Sequence, residues 1–545
     1  MTSWLKKLLL GSLLLPTAFA ADPPKISKDL IESGEKIIGL EFTAPEREMM
    51  QRELSGRLNA YKSLRAENFP NDLTPAIVFH PYPIGFKLEI EKKRPDWKPI
   101  RTFKRPERDE DLAFLTVAEL SSLIRARKIT SEELTRFCLD RLKKFGPQLH
   151  CVVTLTEERA LAEARRADVE LRAGKWRGPL HGIPYGAKDL LDTRGIVTTW
   201  GVSMNTNRIP TADATVIQKL TAAGAVLVAK TSLGELAMGD VWFGGLTRNP
   251  WNIEKGSSGS SAGSASAVAA GLVPFAIGTE TMGSIVSPAT VCGITGIRPT
   301  FGRVSRSGAM ALSWSLDKIG PLARTVEDCE LVLNAIRGAD PKDPTTIDAA
   351  FPFTTKKKLR IGYAKSDFEK KEGNQTNDLA TLDKLRALGL ELKEIEWPKI
   401  PTQPLSLTLT AEAGAAFDEL TRSNQDDTLV QQSPGSWPNA FRTARFIPAV
   451  EYIQAMRLRA RLIEDMAKLF SQVDVIVAPS WRGPQMNYSN MAGYPCVVLP
   501  NGDKTGGNPA SICFLAGLFR EADAAQIARL YQDSTPFHQQ RPKLQ

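Results

Sequence analysis

Cysteine and histidine are scarce in this sequence. Its 545 residues include six cysteines and four histidines, and no two cysteines form a Cys-x-x-Cys pair. So few cysteines in so long a chain cannot act as a disulfide framework, and their spacing predicts neither a zinc site nor a redox pair. Whether any two of them pair is left open by the sequence.

Long apolar runs and a strong charge of one sign are also missing. After residue 20 no run reaches the roughly 18 apolar residues that cross a bilayer, which excludes a polytopic membrane protein. The net charge is only +9, and part of it falls in residues 87–108. The aromatics there form no base-stacking pattern, so we interpret this segment as solvated surface and expect no nucleic-acid partner.

The first 20 residues have the pattern of a secretory signal peptide. Lys6 and Lys7 precede an apolar stretch over residues 8–15, and Ala18 and Ala20 frame a small-x-small cleavage site. This pattern predicts cleavage after Ala20, export to the periplasm or the outside of the cell, and no membrane span in the mature protein. An uncleaved anchor or a buried N-terminal helix is the alternative, but the stretch is short for a bilayer core of about 30 Å.

By composition and residue spacing, the rest of the chain divides into an N-terminal extension over 21–111 and a part over 112–540 with clear helix and strand patterns. The pairs Thr116/Glu119 and Thr130/Glu133 form capping boxes, which predict helices over 117–127 and 131–144. A third helix is predicted over 156–173, and strand-like runs lie at 225–229, 359–363, 473–478 and 496–499. This alternation predicts an α/β protein built on a sheet.

Residues 256–266 (GSSGSSAGSAS) have the composition of a flexible linker, but an apolar run follows at once. No lysine follows a glycine in this region, as a phosphate-binding loop would require. Gly259–Gly263 fits the G-x-S-x-G elbow of a Ser–His–Asp hydrolase, for which His538 is the one downstream histidine. A serine nucleophile served by a lysine is the third possibility, with Lys188 as the candidate base.

Three ordered motifs resemble those of the amidase signature family. They are HGIPYGAKDLLDTRG (181–195), GSSGSSAGSASAVAAG (256–271) and GTETMGSIVSPATVCGITGIRPTFGRVS (278–305). The resemblance continues through NPWN (249–252), LDKIGPLART (316–325) and MAGYPCVVLPNG (491–502), and so covers about 112–540. It implies one large α/β/α sandwich with a mixed, twisted central sheet.

The resemblance also implies a Ser–Ser–Lys triad. Ser284 matches the nucleophile, Ser260 the bridging serine that follows a cis peptide bond, and Lys188 the base. The oxyanion hole is expected at the backbone N–H groups of Thr281, Met282, Gly283 and Ser284. Supporting or substrate-binding positions are matched by Ser261, Thr279 and Met238, the last of them in the acyl pocket.

Lysine chemistry explains why such a base must be buried. With an ordinary pKa of about 10.4, lysine is almost wholly protonated at neutral pH and cannot accept a proton. Burial lowers that pKa, after which Lys188 can deprotonate Ser260 as Ser260 deprotonates Ser284. This relay needs neither metal nor cofactor. The competing interpretation of Lys188 and Asp189 is an ordinary surface ion pair.

The sequence departs from the family pattern at three positions. Met282 replaces a glycine, Val286 replaces an arginine and Glu280 replaces an aspartate. Met282 either strains a turn that requires positive φ or narrows the acyl pocket, and loss of the arginine predicts a less cationic, more apolar pocket.

We therefore expect an exported hydrolase of linear carboxamide C–N bonds, acting on small-molecule or short peptide amides. One alternative is the glutaminase-type subunit of a tRNA-dependent amidotransferase. The other is a non-catalytic binding protein on the same fold.

Overall fold

The computed structural model describes residues 26–67, 69–90, 102–353, 358–371, 374–503 and 508–544. These residues form two compact units, one ending at Pro70 and the other beginning at Asn71. The boundary between these units differs from the domain boundary after residue 111 that composition and residue spacing predict. The boundary after residue 111 stays a prediction. The predicted signal peptide over 1–20 lies outside the described residues.

The smaller unit contains helices α1 (Lys28–Ile38) and α2 (Ala44–Ala66). The Ser27 hydroxyl accepts a hydrogen bond from the first turn of α1, and the Thr43 N–H donates to the Glu46 carboxylate at the start of α2. Side-chain caps of this kind supply partners for backbone groups that a helix end leaves unpaired.

The larger unit is built on a sheet whose order is β1-β3-β2-β8-β10-β9-β14-β15-β13-β11-β12. Its strands and those of two small ribbons are β1 (Val152–Leu155), β2 (Pro184–Lys188), β3 (Val226–Thr231), β4 (Val241–Trp242), β5 (Gly245–Leu246), β6 (Arg248–Asn249), β7 (Asn252–Gly256), β8 (Phe275–Glu280), β9 (Thr295–Arg298), β10 (Lys318–Ala323), β11 (Ile361–Tyr363), β12 (Leu392–Glu394), β13 (Val475–Pro479), β14 (Cys496–Asp503) and β15 (Pro509–Ala516). The sheet is mixed, because β2 pairs in parallel with β3 and β8, whereas β10 is antiparallel to β8.

The helices of this unit are α3 (Val117–Arg125), α4 (Ser131–Leu149), α5 (Glu157–Arg172), α6 (Thr215–Ala222), α7 (Ala262–Ala269), α8 (Val286–Cys292), α9 (Val326–Ile336), α10 (Lys365–Glu369), α11 (Gln375–Ala387), α12 (Thr402–Ala416), α13 (Asp418–Arg422), α14 (Trp437–Ala444), α15 (Ala449–Gln472), α16 (Gln485–Met491) and α17 (Glu521–Asp533). Both predicted capping boxes are present. Helix α4 runs five residues past the predicted end, through Pro147, because Phe145 and Leu149 are buried and their packing outweighs the helix-breaking tendency of proline.

Alternate residues of the strands belong to two separate apolar cores. On β13, Val475 and Val477 pack into one core, while Ile476 and Ala478 pack into the other. Successive strand side chains point to opposite faces, so both faces of the sheet are covered. The predicted α/β/α sandwich with a mixed central sheet is confirmed.

Within the described ranges, no helix combines the length and apolar character that a membrane crossing requires. All six cysteines are buried and free.

Candidate active site

Lys188 ends strand β2 and is fully buried. Its Nζ lies 2.8 Å from Ser260 Oγ, 2.8 Å from Thr279 Oγ1 and 3.2 Å from Ser261 Oγ. The peptide bond between Gly259 and Ser260 is cis. Strand pairing brings these groups together, because β2 lies beside β8, which carries Thr279.

Close approach of the Gly/Ser turn to the sheet requires a glycine on β8. A Cβ atom at Gly278 would lie 2.7 Å from Ser261 Oγ, which is closer than real Cβ contacts. The Ser261 hydroxyl donates to the carbonyl oxygen of Thr279 and accepts from the Thr279 N–H, each at 3.1 Å. The residues after 256 are therefore held against the core and do not form a flexible linker.

Two competing interpretations fail on these contacts. Asp189 pairs with the buried Lys230, Nζ to Oδ1 at 3.0 Å, so Lys188 and Asp189 are not a surface ion pair. Ser261, the central serine of the G-x-S-x-G match, bonds with Lys188 and Thr279. In the described part of the chain no contact joins it to His538, which excludes the histidine-served elbow.

Burial changes the acid–base behaviour of Lys188. Removal from water disfavours the ammonium form and lowers the pKa of Lys188 from 10.5 to about 7, while the negative charges of Asp317 and Glu280 act in the opposite direction. About half of the amine is therefore neutral at neutral pH. A neutral amine beside a hydroxyl can accept its proton.

The turn over Thr281–Ser284 begins two residues after Thr279, which bonds with Lys188, and carries four backbone N–H donors. Among the residues that the structure describes, none accepts a hydrogen bond from the N–H groups of 281, 282, 283 or 284. The Ser284 carbonyl accepts from the Ser261 N–H at 3.2 Å, which links the two serine-bearing turns, and Ser284 itself is partly exposed.

The positive φ of this turn falls on glycine and not on methionine. Gly283 has a φ of +96°, whereas Met282 is absent from the residues with positive φ, and its side chain packs against the core. The strain that the replacement of glycine by Met282 could have caused therefore does not arise.

Glu280 fixes the start of helix α8, directly after the turn. Its carboxylate accepts from the N–H groups of Ile285 (2.8 Å) and Val286 (3.0 Å) and pairs with buried Arg298 at 2.8 Å. Burial would raise the pKa of Glu280, but the charges of Arg298 and Lys318 lower it to about 2. The extra methylene of glutamate is thus used to reach the helix N-terminus.

The sequence interpretation missed Asp317, which lies beneath the turn. Its carboxylate accepts from Thr281 Oγ1 at 2.6 Å and from the N–H groups of Leu312 (2.8 Å) and Ser313 (3.0 Å). Burial raises the pKa of Asp317, and the hydrogen bond from Thr281 opposes that effect. The motif LDKIGPLART contains Asp317 and was the signal that could have identified it.

A cavity of about 100 Å³ adjoins Thr279 and Thr281. Its charged lining residues are Asp72, Arg306, Asp317, Lys318, Lys342 and Asp343. Arg306 pairs with Asp343 at 3.2 Å. Val286 is buried in the core and does not line this cavity, so the less cationic pocket stays a prediction.

Met238 is half-buried and packs against the core at the end of a 3-10 turn. No group of three or more histidine, cysteine, aspartate or glutamate side chains suited to a metal ion occurs among the described residues.

Comparisons with known proteins match most of the chain. The family model described as Amidase matches residues 133–498. The A subunit of glutamyl-tRNA(Gln) amidotransferase from Pseudomonas syringae pv. tomato is 36% identical over 481 residues, 79% of this chain and 99% of that protein.

Two solved structures are similar in fold. The native peptide amidase from Stenotrophomonas maltophilia is 30% identical, with a TM-score of 0.67 over 78% of this chain and 98% of that one. A bacterial aryl acylamidase of the amidase signature enzymes, at 21% identity, has a TM-score of 0.70 over 78% of this chain and 97% of that one. The second similarity concerns the fold alone.

Proposed function

Since this chain belongs to the amidase family, whose enzymes act on carbon–nitrogen bonds, we propose that it hydrolyses amides through Ser284, Ser260 and Lys188. The observation that carries the proposal is the buried lysine, whose Nζ lies 2.8 Å from Ser260 Oγ and whose pKa burial lowers to about 7. Neutral Lys188 accepts the proton of Ser260 while Ser260 accepts that of Ser284. The Ser284 oxygen then bonds to the amide carbon.

The N–H groups of residues 281–284, which bond to no acceptor among the described residues, stabilise the negative charge that develops on the carbonyl oxygen. Each such donor commonly contributes about 10²–10³ in rate. The relayed proton passes to the leaving amine as the C–N bond breaks. Water then attacks the acyl-enzyme, gives its proton to the same relay and releases the carboxylic acid.

For the substrate we propose a linear carboxamide or short peptide amide, hydrolysed by an exported enzyme that acts alone. The secretory pattern of residues 1–20 supports this proposal, since tRNA and ATP are not exported. The similarity to a peptide amidase, at 30% identity, supports a peptide amide as the substrate.

A second candidate is the glutaminase-type subunit of a tRNA-dependent amidotransferase. The 36% identity to one chain of such an enzyme, over nearly that chain's whole length, favours it, and this relative is more similar in sequence than the peptide amidase. In that role the substrate is glutamine and the product ammonia is passed to a partner.

The nucleophile is tested by labelling the purified protein with a fluorophosphonate that reports activated serines. We expect labelling of the wild type, none in Ser284→Ala, and strongly reduced labelling in Lys188→Ala. Ser534→Ala is the matched control, because Ser534 is partly exposed like Ser284 but its hydroxyl donates to the Tyr531 carbonyl at 2.8 Å at the end of α17, and its loss should leave labelling intact. Labelling that persists in Ser284→Ala would place the nucleophile elsewhere.

The substrate is tested by measuring ammonia release from glutamine and from apolar primary amides. Glutamine as the preferred substrate would favour the amidotransferase role. Labelling of Ser284 with preferred turnover of apolar amides would favour the exported hydrolase. A protein that binds amides but neither labels nor turns them over would be the non-catalytic alternative.

A further inference from the structure

A large apolar cavity adjoins the one beside Thr281. It measures about 760 Å³, within the range of small-ligand sites, and shares Thr74 and Trp314 with the smaller cavity. Residues 74–80 form one wall, and helices α12 and α15 form another. The family match begins at residue 133, so the first wall lies outside the matched region.

Residues 71–80 are fixed at both ends. The Asn71 side chain donates to the carbonyl oxygens of Ala311 (3.0 Å) and Ala416 (3.2 Å) and accepts from the Ala311 N–H at 2.7 Å. At the other end Phe79 is buried, and the Arg459 guanidinium carbon lies 3.5 Å from its ring centroid. The segment is therefore a fixed wall and not a mobile lid.

Four of the polar side chains that line this cavity, those of Ser315, Glu412, Tyr452 and Arg459, bond with one another. Glu412 accepts from Ser315 Oγ at 2.7 Å and from Tyr452 Oη at 3.1 Å. Arg459 donates to the Ser315 carbonyl at 2.9 Å. Because these four groups are satisfied within the protein and most other lining residues are apolar, a ligand meets mainly apolar surface.

Large apolar side chains are left exposed at this cavity. Ile77 is 89% exposed and Ile453 is 57% exposed. When an apolar ligand covers exposed apolar side chains next to a cavity, the removal of that surface from water favours binding.

We propose that this outer cavity holds the apolar part of the amide substrate, while the scissile amide lies at Ser284. Residues 71–80 then determine specificity, and the substrate class is carboxamides that carry an extended apolar chain. This inference rests on the proposed function, since it assigns a substrate to the same site. Trp314, whose Nε1 donates to the Asn71 carbonyl at 3.3 Å, lies where the two cavities meet.

The test compares butanamide with decanamide on the full chain, measured as ammonia release. Each buried methylene contributes up to about fourfold in kcat/KM, so we expect decanamide to be preferred by at least about tenfold. Ile453→Asp should remove that preference by lowering kcat/KM for decanamide at least about tenfold. Ile209→Asp is the matched control, because Ile209 is also 57% exposed but lines neither cavity.

Binding to the Ser284→Ala variant, measured by calorimetry, separates this inference from the proposed function. We expect decanamide to bind at least about tenfold more tightly than butanamide. If Ile453→Asp abolishes this difference and Ile209→Asp does not, the outer cavity holds the apolar chain, whether or not turnover is seen. Equal binding of the two amides overturns the inference and leaves the triad intact. A change of sedimentation in Ile453→Asp without any effect on decanamide overturns it too, by identifying an interface between copies.

Discussion

At the scale of single residues, the chemistry depends on a lysine that the fold keeps out of water. A lysine with an ordinary pKa is no base at neutral pH, and a buried one becomes a base because its ammonium form loses hydration. The nearby Asp317 limits this effect, since its negative charge favours the ammonium. The balance between burial, which lowers the pKa of Lys188, and the negative charge of Asp317, which raises it, brings this pKa to about 7.

This balance predicts the pH dependence of hydrolysis. The active form of Lys188 is neutral, so kcat/KM should fall about tenfold per pH unit below pH 7 and level off above it. Asp317→Asn removes a charge that raises this pKa and should move the midpoint to lower pH, besides weakening the hold on Thr281. Asp383→Asn, at an exposed ion pair with Arg386, should leave the midpoint in place. A midpoint near the ordinary pKa of lysine would contradict the role of burial.

Gly283 is the second position where one residue decides the geometry. Its φ of +96° is a conformation that side chains disfavour, so Gly283→Ala should cost about 1–2 kcal/mol and displace the N–H groups of the turn. We expect kcat to fall by at least about tenfold. The control is Gly195→Ala, with φ +74° and open space at its Cβ, which should lose stability but keep its kcat. Full kcat in Gly283→Ala would rule out the oxyanion turn.

At the scale of secondary structure elements, strand pairing and helix ends position the site. Strand β2 carries Lys188, β8 carries Thr279, and α8 starts two residues after Ser284. The start of α8 depends on Glu280, whose carboxylate pairs with Arg298 and accepts from two backbone N–H groups. A buried, fully bonded carboxylate of this kind fixes the turn in one arrangement.

Glu280→Gln tests the importance of this carboxylate. The substitution keeps the size but leaves the buried Arg298 without its counter-charge, and should lower the free energy of unfolding by about 3 kcal/mol at pH 7. The pKa of Glu280 is lowered to about 2, so its stabilising charge is fully present above its ordinary pKa of 4.5 and is lost as pH falls through about 2. Urea unfolding at pH 7 and at pH 5 should give the same difference in the free energy of unfolding between the wild type and Glu280→Gln. Little or no destabilisation would show that Arg298 is compensated in another way.

At the scale of the whole chain, every residue of the proposed site belongs to the unit that begins at Asn71. The part of the chain before it contains α1 and α2, whose described ion pairs include Lys28 with Glu48 and Arg47 with Glu35. Residues 71–80 lie before the family match and yet line both cavities.

Truncation tests this division. A chain that begins at Pro70 should keep its thermal unfolding temperature and its turnover of butanamide. A chain that begins at His80 should lose the preference for decanamide, because it lacks the anchor at Asn71 and the wall of the outer cavity. Ammonia release and thermal unfolding measure both expectations. Loss of butanamide turnover in the longer chain would mean that residues before 70 contribute to the site.

Much of the fold follows from local sequence. The capping boxes at Thr116 and Thr130 mark true helix starts, because a side-chain cap acts within four residues and needs no tertiary partner. The end of α4 could not be predicted in the same way, since burial of Phe145 and Leu149 extends the helix through Pro147. Propensity yields to packing where the two disagree.

The sequence by itself determined which residue types could form the site, since three ordered motifs carry Lys188, the Gly/Ser turn and Ser284. Only the tertiary structure decided that Lys188 is buried beside Ser260, that the positive φ falls on Gly283 and not on Met282, and that Asp317 lies beneath Thr281. It also decided that Asp72 and Thr74 line the cavity beside Thr281. The physical reason is that burial, and the pKa shift it causes, depend on neighbours far apart in sequence, which local patterns do not specify.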